Sequence, residues 1–378
     1  MSQNGCSAPV EIRQTSPQSR VYNDDSAVIH QQAFHTLLTT FGNSNTANCA
    51  EEEASQYAVL DGQNQRLTTV IENECDAVPV IPFENLLFKS LLGRGEFGEV
   101  HLCHLRNVPT CSSAEPPRCV AVKMLKGATG PKEREAFECE LEVAARLRGH
   151  ENFLSLLGRC ESPNGAPCMV VEYSELGDLK AFLKRNCTIL DTSTLTYMVT
   201  DICSGMLHLE SQGLVHRDLA ARNCVVVVDG RACKQLQVKV GDLGMTLPVY
   251  ADDYVAMEDD APPLPLRWLA PECLERTNTS KSDVWSFGVT FWEMLHFGRA
   301  RPYADLSDQE VLANLGLILQ SGKTRQLPEP PRGCPKELSD LLKECWSANP
   351  EERPLFVDIF QFFVSRNHGF IPPSLRYT

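Results

Sequence analysis

The sequence predicts an α+β fold with two lobes, a small β-rich lobe with one helix and a large helical lobe. Short β-like apolar runs are concentrated between residues 86 and 123, whereas the apolar spacing after residue 190 is helical. A chain of 378 residues exceeds one ordinary domain but fits one large two-lobed domain with an extension. A hydrophobic content of 43% can support a core of that size.

The extension is predicted at the N-terminus, where residues 1–79 are polar, acidic and mostly disordered in composition. They contain ten Asp and Glu residues against three Arg, which contributes half of the formal net charge of −14. A negative chain of this kind argues against a nucleic-acid binder. There is no signal peptide and no apolar run of about 18 residues, so no membrane span is predicted.

The 16 cysteines include no Cys-x-x-Cys pair, which argues against a zinc ribbon or a thioredoxin-like site. A disulfide scaffold is unusual in a chain of this length, so reduced thiols and a cytoplasmic location are predicted. The cysteines thus indicate a compartment rather than a site.

A Gly-x-Gly-x-x-Gly motif at Gly93, Gly95 and Gly98 lies between two β-like runs, at residues 86–92 and 100–103. Alone the motif is weak, because dinucleotide-binding folds carry it too. Those folds continue as a helix with an acidic residue about 20 positions later, whereas here a strand follows and a lysine comes next. Glycines between two strands let backbone amides approach phosphates, so the segment predicts a phosphate-binding hairpin.

That lysine is Lys123, and it needs an acidic partner if it is to hold phosphates. A helix predicted over residues 132–147 places Glu140 beside its apolar face, 17 residues after Lys123. An inward acid beside a buried face predicts an ion pair with Lys123. Other glutamates of the same helix leave an exposed position for Glu140 open as the alternative.

The loop at residues 216–223 gathers a histidine, two arginines, a carboxylate and an amide within eight residues. It follows an amphipathic helical segment that Gly213 ends. In phosphoryl transfer, a carboxylate such as Asp218 accepts the proton of the attacking hydroxyl, and Asn223 can hold a metal ion. The loop therefore predicts a catalytic site.

These motifs, in this order, resemble the protein kinases, and residues 216–223 match the kinase catalytic loop. Its Ala-Ala-Arg interior and the segment at 265–268 resemble the tyrosine-specific branch, and the resemblance covers residues 84–366. Residues 172–180 and 310–335 look most like the colon-carcinoma-kinase/off-track receptors. Further landmarks are a hinge-like strand at 169–173, Asp-Leu-Gly at 242–244, Ala-Pro-Glu at 270–272 and the start of an apolar helix at 283–288.

The resemblance implies a protein tyrosine kinase that transfers the γ-phosphate of ATP to tyrosine in protein substrates, with ATP and Mg²⁺ as cofactors. The implied catalytic residues are Lys123, Glu140, Asp218 and Arg222. The implied ATP-binding residues are Gly93, Gly95, Phe97, Gly98, Val100, Ala121, Lys123, Val171, Glu172 and Tyr173. The implied metal ligands are Asn223 and Asp242.

The same resemblance implies regulation at Tyr250 and Tyr254, because phosphorylation there would give Arg217 a dianionic partner. Acidic residues surround these tyrosines, and Asp252 or Asp253 could supply part of that negative charge before phosphorylation. A solvated acidic face is the alternative.

The resemblance also opens a second function, a catalytically weak pseudokinase scaffold that signals by binding partners. Kinases stack the Phe of Asp-Phe-Gly on a small-lobe helix residue and the catalytic-loop His, and this chain has Leu243, Ala144 and His216 there. Smaller side chains in a buried column cost roughly 1–3 kcal/mol unless neighbours repack, which shifts an equilibrium about tenfold. The residues that would touch ATP and Mg²⁺ are all present and favour the enzyme.

The implied domains are a juxtamembrane-like region, a small lobe with the hinge, a large lobe and a C-terminal tail, at residues 1–79, 80–174, 175–368 and 369–378. Tyr22 and Tyr57 are candidate docking sites for SH2-type partners. Receptors of this kind carry the domain inside the cell. We therefore expect a cytoplasmic form, or the part of a longer receptor at the inner face of the plasma membrane.

Overall fold

The computed structural model describes residues 78–94, 98–106, 118–125, 130–229, 235–241, 252–255 and 264–370. The predictions for Tyr22, Tyr57, Gly95, Phe97, Asp242, Leu243 and Tyr250 fall outside these residues. The two-lobed α+β architecture is confirmed by a β-sheet lobe followed by a helical lobe.

The small lobe is a five-stranded antiparallel sheet with one helix. Its strand order is β1-β2-β3-β5-β4, so β3 lies at the centre. The elements are β1 (Leu86–Arg94), β2 (Gly98–Leu105), β3 (Arg118–Leu125), helix α1 (Pro131–Arg146), β4 (Leu156–Glu161) and β5 (Pro167–Glu172). Helix α1 packs on the sheet through Phe137 and Leu141, which share a buried cluster with Val100, Ala121 and Val171.

The large lobe consists of six helices and a two-stranded hairpin within the described residues. The elements are α2 (Leu179–Asn186), α3 (Thr192–Ser211), β6 (Cys224–Asp229), β7 (Gln235–Val240), α4 (Ser280–Leu295), α5 (Asp308–Ser321), α6 (Lys336–Cys345) and α7 (Phe356–Arg366). Strands β6 and β7 pair antiparallel with each other as a hairpin. Asp229 pairs with Gln235, which leaves residues 230–234 between the strands.

Helix α4 forms the centre of the large lobe. Its residues from 282 to 295 are all buried, so it contacts protein on every side rather than presenting one apolar stripe. Phe287 and Phe291 pack edge-on against Phe363 of α7 with ring centroids 6.4 and 5.2 Å apart. A helix fixed on all sides is a rigid support for side chains that reach out from it toward the catalytic loop.

Candidate active site

Lys123 and Glu140 form the buried ion pair that the sequence predicts. Lys123 lies on the central strand β3 with 1% of its surface exposed, and Glu140 lies on α1. The ammonium donates to both carboxylate oxygens, and the distance to Oε1 is 2.5 Å. A buried charge is stable only with a partner, so each residue requires the other.

Part of the predicted ATP-binding set lines one apolar cluster of the small lobe. Val100, Ala121 and Val171 are buried in it, and Tyr173 packs against it. A Cβ on Gly98 would lie 3.0 Å from the Met124 carbonyl oxygen, so the strand tip has no room for a side chain. These surfaces suit the apolar face of a nucleotide base.

The side chain of Glu172 is committed to the protein rather than to a ligand. Its Oε1 accepts hydrogen bonds from the Ser155 amide at 2.7 Å and from Lys239 Nζ at 2.7 Å. Glu172 ends β5 and Lys239 lies on β7, so the ion pair joins the two lobes. The backbone of residues 172 and 173 is then the part of this strand that can meet an adenine edge.

Asp283 of α4 fixes the backbone of the catalytic loop. Its two carboxylate oxygens accept the backbone amides of His216 at 2.7 Å and Arg217 at 2.8 Å. Burial raises the pKa of Asp283 to about 6, against the lowering effect of nearby His216 and of these two amides. Arg217 has a φ of 71°, a left-handed conformation that is uncommon for a residue with a Cβ. The loop conformation therefore depends on Asp283.

Asp218, Arg222 and Tyr254 meet in a triangle of hydrogen bonds. Arg222 Nη2 donates to Asp218 Oδ1 at 2.7 Å, and the Tyr254 hydroxyl donates to Asp218 Oδ2 at 2.7 Å. Arg222 Nε donates to the Tyr254 oxygen at 2.9 Å. Burial and the Asp218 carboxylate raise the pKa of Tyr254 well above its ordinary value, so the hydroxyl stays protonated. A tyrosine of the chain itself thus occupies the position next to Asp218.

Arg222 also stacks between two aromatic rings. Its guanidinium carbon lies 4.5 Å from the Tyr254 ring centroid and 4.3 Å from that of Trp268. Burial alone would lower the pKa of Arg222, but the Asp218 carboxylate, the Tyr254 oxygen and the Asp253 carboxylate raise it above its ordinary value. Trp268 in turn donates to Glu293 Oε2 at 2.8 Å. The aromatic wall beside Asp218 is therefore fixed to the core helix α4.

Asn223 has the chemistry of a metal ligand. Its Nδ2 donates to the Asp218 carbonyl oxygen at 2.6 Å, which leaves the amide oxygen as a hard oxygen donor of the kind that Mg²⁺ prefers. Among the described residues no group of three or more His, Cys, Asp or Glu is placed to hold a metal. Asp242 lies outside those residues.

Lys180 and Glu293 belong to this site although the sequence did not single them out. Lys180 Nζ lies 2.8 Å from Asp253 Oδ2 and 3.8 Å from Glu293 Oε1. The carboxylate of Glu293 also accepts the Ala221 amide at 3.0 Å. The only local signal for Lys180 was its spacing from Leu183, because residues three apart lie on the same face of a helix. Both side chains are buried on that face. The predicted role of Asp253 beside Arg217 differs from this arrangement, in which Asp253 binds Lys180.

Comparison with known proteins places the chain in a family. A family model described as protein tyrosine and serine/threonine kinase matches residues 86–363. The chain therefore belongs to the protein tyrosine and serine/threonine kinase family, whose members use ATP and Mg²⁺ and act on protein substrates. This membership confirms the predicted kinase fold and the ATP-dependent kinase class.

The chain is similar to several proteins that are named as tyrosine kinases, some of them as receptors. The chain is 32% identical to the discoidin domain-containing receptor tyrosine kinase B of Caenorhabditis elegans, over 92% of this chain and 43% of that protein. It is 40% identical to the inactive tyrosine-protein kinase 7 of Gallus gallus, over 74% of this chain and 25% of that protein. It is 36% identical to the proto-oncogene tyrosine-protein kinase ROS of Mus musculus, over 77% of this chain and 12% of that protein.

These matches confirm the predicted tyrosine kinase domain and the resemblance to the colon-carcinoma-kinase type. The chain spans less than half the length of these curated relatives. In the part of the chain that the structure describes, no helix has the length and apolarity that a bilayer crossing requires.

Proposed function

We propose that this chain transfers the γ-phosphate of ATP to tyrosine in protein substrates and that Asp218 and Arg222 form its catalytic centre. The observation that supports this most directly is the Tyr254 hydroxyl, which is bonded to both residues. A phenol oxygen therefore fits the position from which a proton must pass to Asp218. The formed Lys123–Glu140 pair supports the same proposal, because kinases require it for phosphate positioning.

In the proposed reaction the phenol oxygen of the substrate attacks the γ-phosphorus of ATP. Its proton passes to Asp218 as the new oxygen–phosphorus bond forms, and the bond to the bridging oxygen breaks to release ADP. Arg222 donates to the phenol oxygen and keeps it oriented. Lys123 holds the α- and β-phosphates, while Asn223 and Asp242 would hold Mg²⁺, which neutralises phosphate charge when bound.

The depth of the site supports tyrosine rather than serine as the acceptor. The backbone of Val255 pairs with Leu264 through two hydrogen bonds of 2.9 and 2.8 Å, while the Tyr254 ring crosses the Arg222 guanidinium to reach Asp218. The shorter side chain of serine at the same backbone position would leave its hydroxyl far from Asp218. Phosphoamino-acid analysis of a generic protein substrate should therefore detect phosphotyrosine. Detection of mainly phosphoserine would contradict tyrosine as the acceptor.

The test of the reaction is transfer of radiolabelled phosphate from ATP to a tyrosine polymer by the full chain. Asp218→Asn keeps the shape of the site but removes its proton acceptor, and we expect a loss of about a thousandfold in kcat. Asp305→Asn, an exposed residue of the same charge, is the matched control and should retain wild-type activity. Transfer by Asp218→Asn at the wild-type rate would refute the assignment.

A catalytically weak scaffold is the second candidate function. It is favoured by the 40% identity to a relative named as inactive and by the occupation of the site by Tyr254. Replacement of Tyr254 by Phe separates the two functions. If neither the wild-type chain nor Tyr254→Phe transfers phosphate to tyrosine peptides, the scaffold is the better description.

We further propose regulation by phosphorylation of Tyr250 and Tyr254, with Arg217 as the partner of the new phosphate. Phosphorylated Tyr22 and Tyr57 would recruit SH2-type partners. The receptor names of the relatives support a place at the inner face of the plasma membrane, as part of a longer receptor. Mapping of phosphotyrosines on the chain after incubation with ATP tests the first point, and pull-down with SH2 domains tests the second.

A further inference from the structure

Two cysteines lie opposite each other in the small-lobe sheet. Cys160 of β4 and Cys168 of β5 are direct partners in the antiparallel register, and both are free thiols. Their side chains are buried in one apolar cluster, so they lie on the same face of the sheet. Opposed residues of antiparallel strands have Cα atoms about 4.5–5.5 Å apart, within the range of about 4.4–6.8 Å that disulfides span. The two strands therefore hold this pair at a separation that a disulfide requires.

The surroundings of Cys168 make it the more reactive of the two thiols. A hydrogen bond from the Cys160 thiol lowers the pKa of Cys168; burial opposes this effect, and the Ser162 amide adds to it. The same interaction, together with burial, raises the pKa of Cys160 well above its ordinary value. Because the thiolate is the form that attacks an oxidant, Cys168 has the character of the nucleophile and Cys160 that of the second thiol.

A third cysteine of the same cluster, Cys103, is not placed to join this pair. It lies on β2, where burial raises its pKa to about 12. Strand β3 separates it from Cys168, since Cys103 is opposite Val120 and Cys168 is opposite Met124. Cys103 is therefore a matched control, a buried thiol in the same cluster without a cysteine opposite it.

The pair lies near the tip of the β4–β5 hairpin. Pro163 and Asn164 in the turn are exposed, whereas Cys160 and Cys168 keep 6% and 1% of their surface exposed. Hydrogen peroxide is small and uncharged, so it needs less room at such a site than a bulky alkylating reagent or a disulfide. The class of oxidant that suits this pair is therefore a peroxide.

We propose that Cys160 and Cys168 form a redox-active dithiol, which a peroxide converts to a disulfide in the folded chain. The Cys168 thiolate attacks one peroxide oxygen, the oxygen–oxygen bond breaks, and the hydroxide that leaves takes up the proton released by Cys168. The Cys160 sulfur then displaces the hydroxyl group from the Cys168 sulfenic acid, and the proton of Cys160 completes a second water. The two thiols together lose two electrons and two protons, and one hydrogen peroxide becomes two waters.

This modification is independent of the proposed phosphoryl transfer, although it lies in the lobe that we assign to ATP. Met169 follows Cys168 directly and is opposite Lys123 on β3. The disulfide would close the loop of residues 160–168 on the strand next to that lysine. An excess of another thiol reverses it by exchange, and transient disulfides of this kind are typical of redox sensing in reducing compartments.

The test is mass spectrometry of the full chain after exposure of the folded, reduced protein to hydrogen peroxide. Catalase removes the peroxide, and iodoacetamide then alkylates free thiols in denaturant. Trypsin cleaves after Arg159 and Lys180, so one peptide carries both cysteines. We expect this peptide without alkyl groups and lighter by two hydrogen atoms, and dithiothreitol before alkylation should restore both alkyl groups. Cys345, buried on α6 in the large lobe, should stay fully alkylated.

Variants separate the roles of the cysteines. Cys160→Ala should accumulate a sulfenic acid on Cys168 that dimedone traps, whereas Cys168→Ala should leave Cys160 a thiol. Cys103→Ala should form the disulfide as the wild type does, and thermal unfolding shows that each variant keeps its fold. Two alkylated cysteines in the wild-type peptide, loss of the disulfide in folded Cys103→Ala, or dimedone on Cys160 instead of Cys168 would each overturn the inference. None of these readouts depends on kinase activity.

Discussion

The Tyr254 hydroxyl donates to Asp218 Oδ2 at 2.7 Å, so the residue we assign as the proton acceptor is bonded to a tyrosine of its own chain. A substrate must displace that tyrosine before it can react. Breaking the Tyr254–Asp218 hydrogen bond therefore adds a free-energy cost to substrate binding. This cost is separate from ATP binding at Lys123.

Replacement of Tyr254 by Phe should raise the initial rate of peptide phosphorylation by at least about tenfold. The variant removes hydrogen bonds to two charged groups, which are worth about 1.5–3 kcal/mol each to the occupied state. The measurement is the initial rate with a saturating concentration of ATP, before the chain modifies itself. Tyr303→Phe is the matched control, since the buried Tyr303 hydroxyl has no hydrogen-bond partner among the described residues. An unchanged rate in Tyr254→Phe would show that the tyrosine does not compete with substrate.

Replacement of Lys123 by Met should abolish stabilisation of the chain by Mg-ATP. A ligand at 100 times its Kd stabilises the folded state by about 2.7 kcal/mol, and that gain requires the cation that holds the phosphates. Thermal unfolding with and without Mg-ATP measures it. Lys89→Met on the exposed part of β1 removes the same charge and should keep the full shift. A shift that persists in Lys123→Met would place the nucleotide elsewhere.

Replacement of Glu272 by Gln should destabilise the large lobe by about 3–5 kcal/mol. Glu272 accepts two bonds from the buried Arg353, at 2.6 and 2.9 Å, and the loss of its charge leaves the guanidinium without a counterion. Urea unfolding gives the difference. The control is Glu337→Gln, whose partner Arg366 is 4.0 Å away near the surface, and it should change stability by less than about 1 kcal/mol. Equal effects of the two changes would show that the buried Glu272–Arg353 pair contributes no more to stability than an exposed pair.

Replacement of Asp201 by Asn should flatten the dependence of stability on pH. Burial raises the pKa of Asp201 from 3.8 to about 7, although a bond from the Val238 amide lowers it in part. Between about pH 4 and 7 the folded state keeps a proton that the unfolded state has released, so the free energy of unfolding falls as the pH rises. Asn removes that fall and should be more stable than the wild type at pH 8 by roughly 1–2 kcal/mol.

Chemical denaturation of Asp201→Asn at pH 5 and pH 8 checks this difference. Glu351→Gln, an exposed carboxyl on the same lobe, should leave the pH dependence of the wild type unchanged. If the wild-type chain is more stable at pH 8 than at pH 5, the pH dependence of its stability has the opposite sign, and Asp201 does not determine it.

The parts of the site that the sequence predicts are those in which chemistry and spacing are local. Glu140 was assigned because an acid beside an apolar helical face must find a cation, and the structure shows it on Lys123. Asp218 and Arg222 are four residues apart, so one short loop brings them together. The Lys180–Asp253 pair was missed because 73 residues separate its members and only the tertiary fold joins them.

The strand β4 was missed for a different reason. Its positions alternate between buried and less buried, but the buried Gly158 has no side chain and the neighbouring Leu157 is apolar, so the sequence shows no clear alternation of apolar and polar residues. Helix α2 was also not predicted, because Lys180 is buried on it and breaks the apolar pattern. A buried charge thus conceals the helix that carries it.

The left-handed backbone of Arg217 has a consequence for how this loop can vary. Glycine would adopt a φ of 71° without the steric cost of about 1–2 kcal/mol that a side chain adds. At position 217, glycine would remove the backbone strain but would lack the guanidinium, and no single residue type provides both a relaxed backbone and that charge. A sequence selected only for thermal tolerance would drift toward glycine at 217, whereas one selected to respond to phosphate would keep the strained arginine.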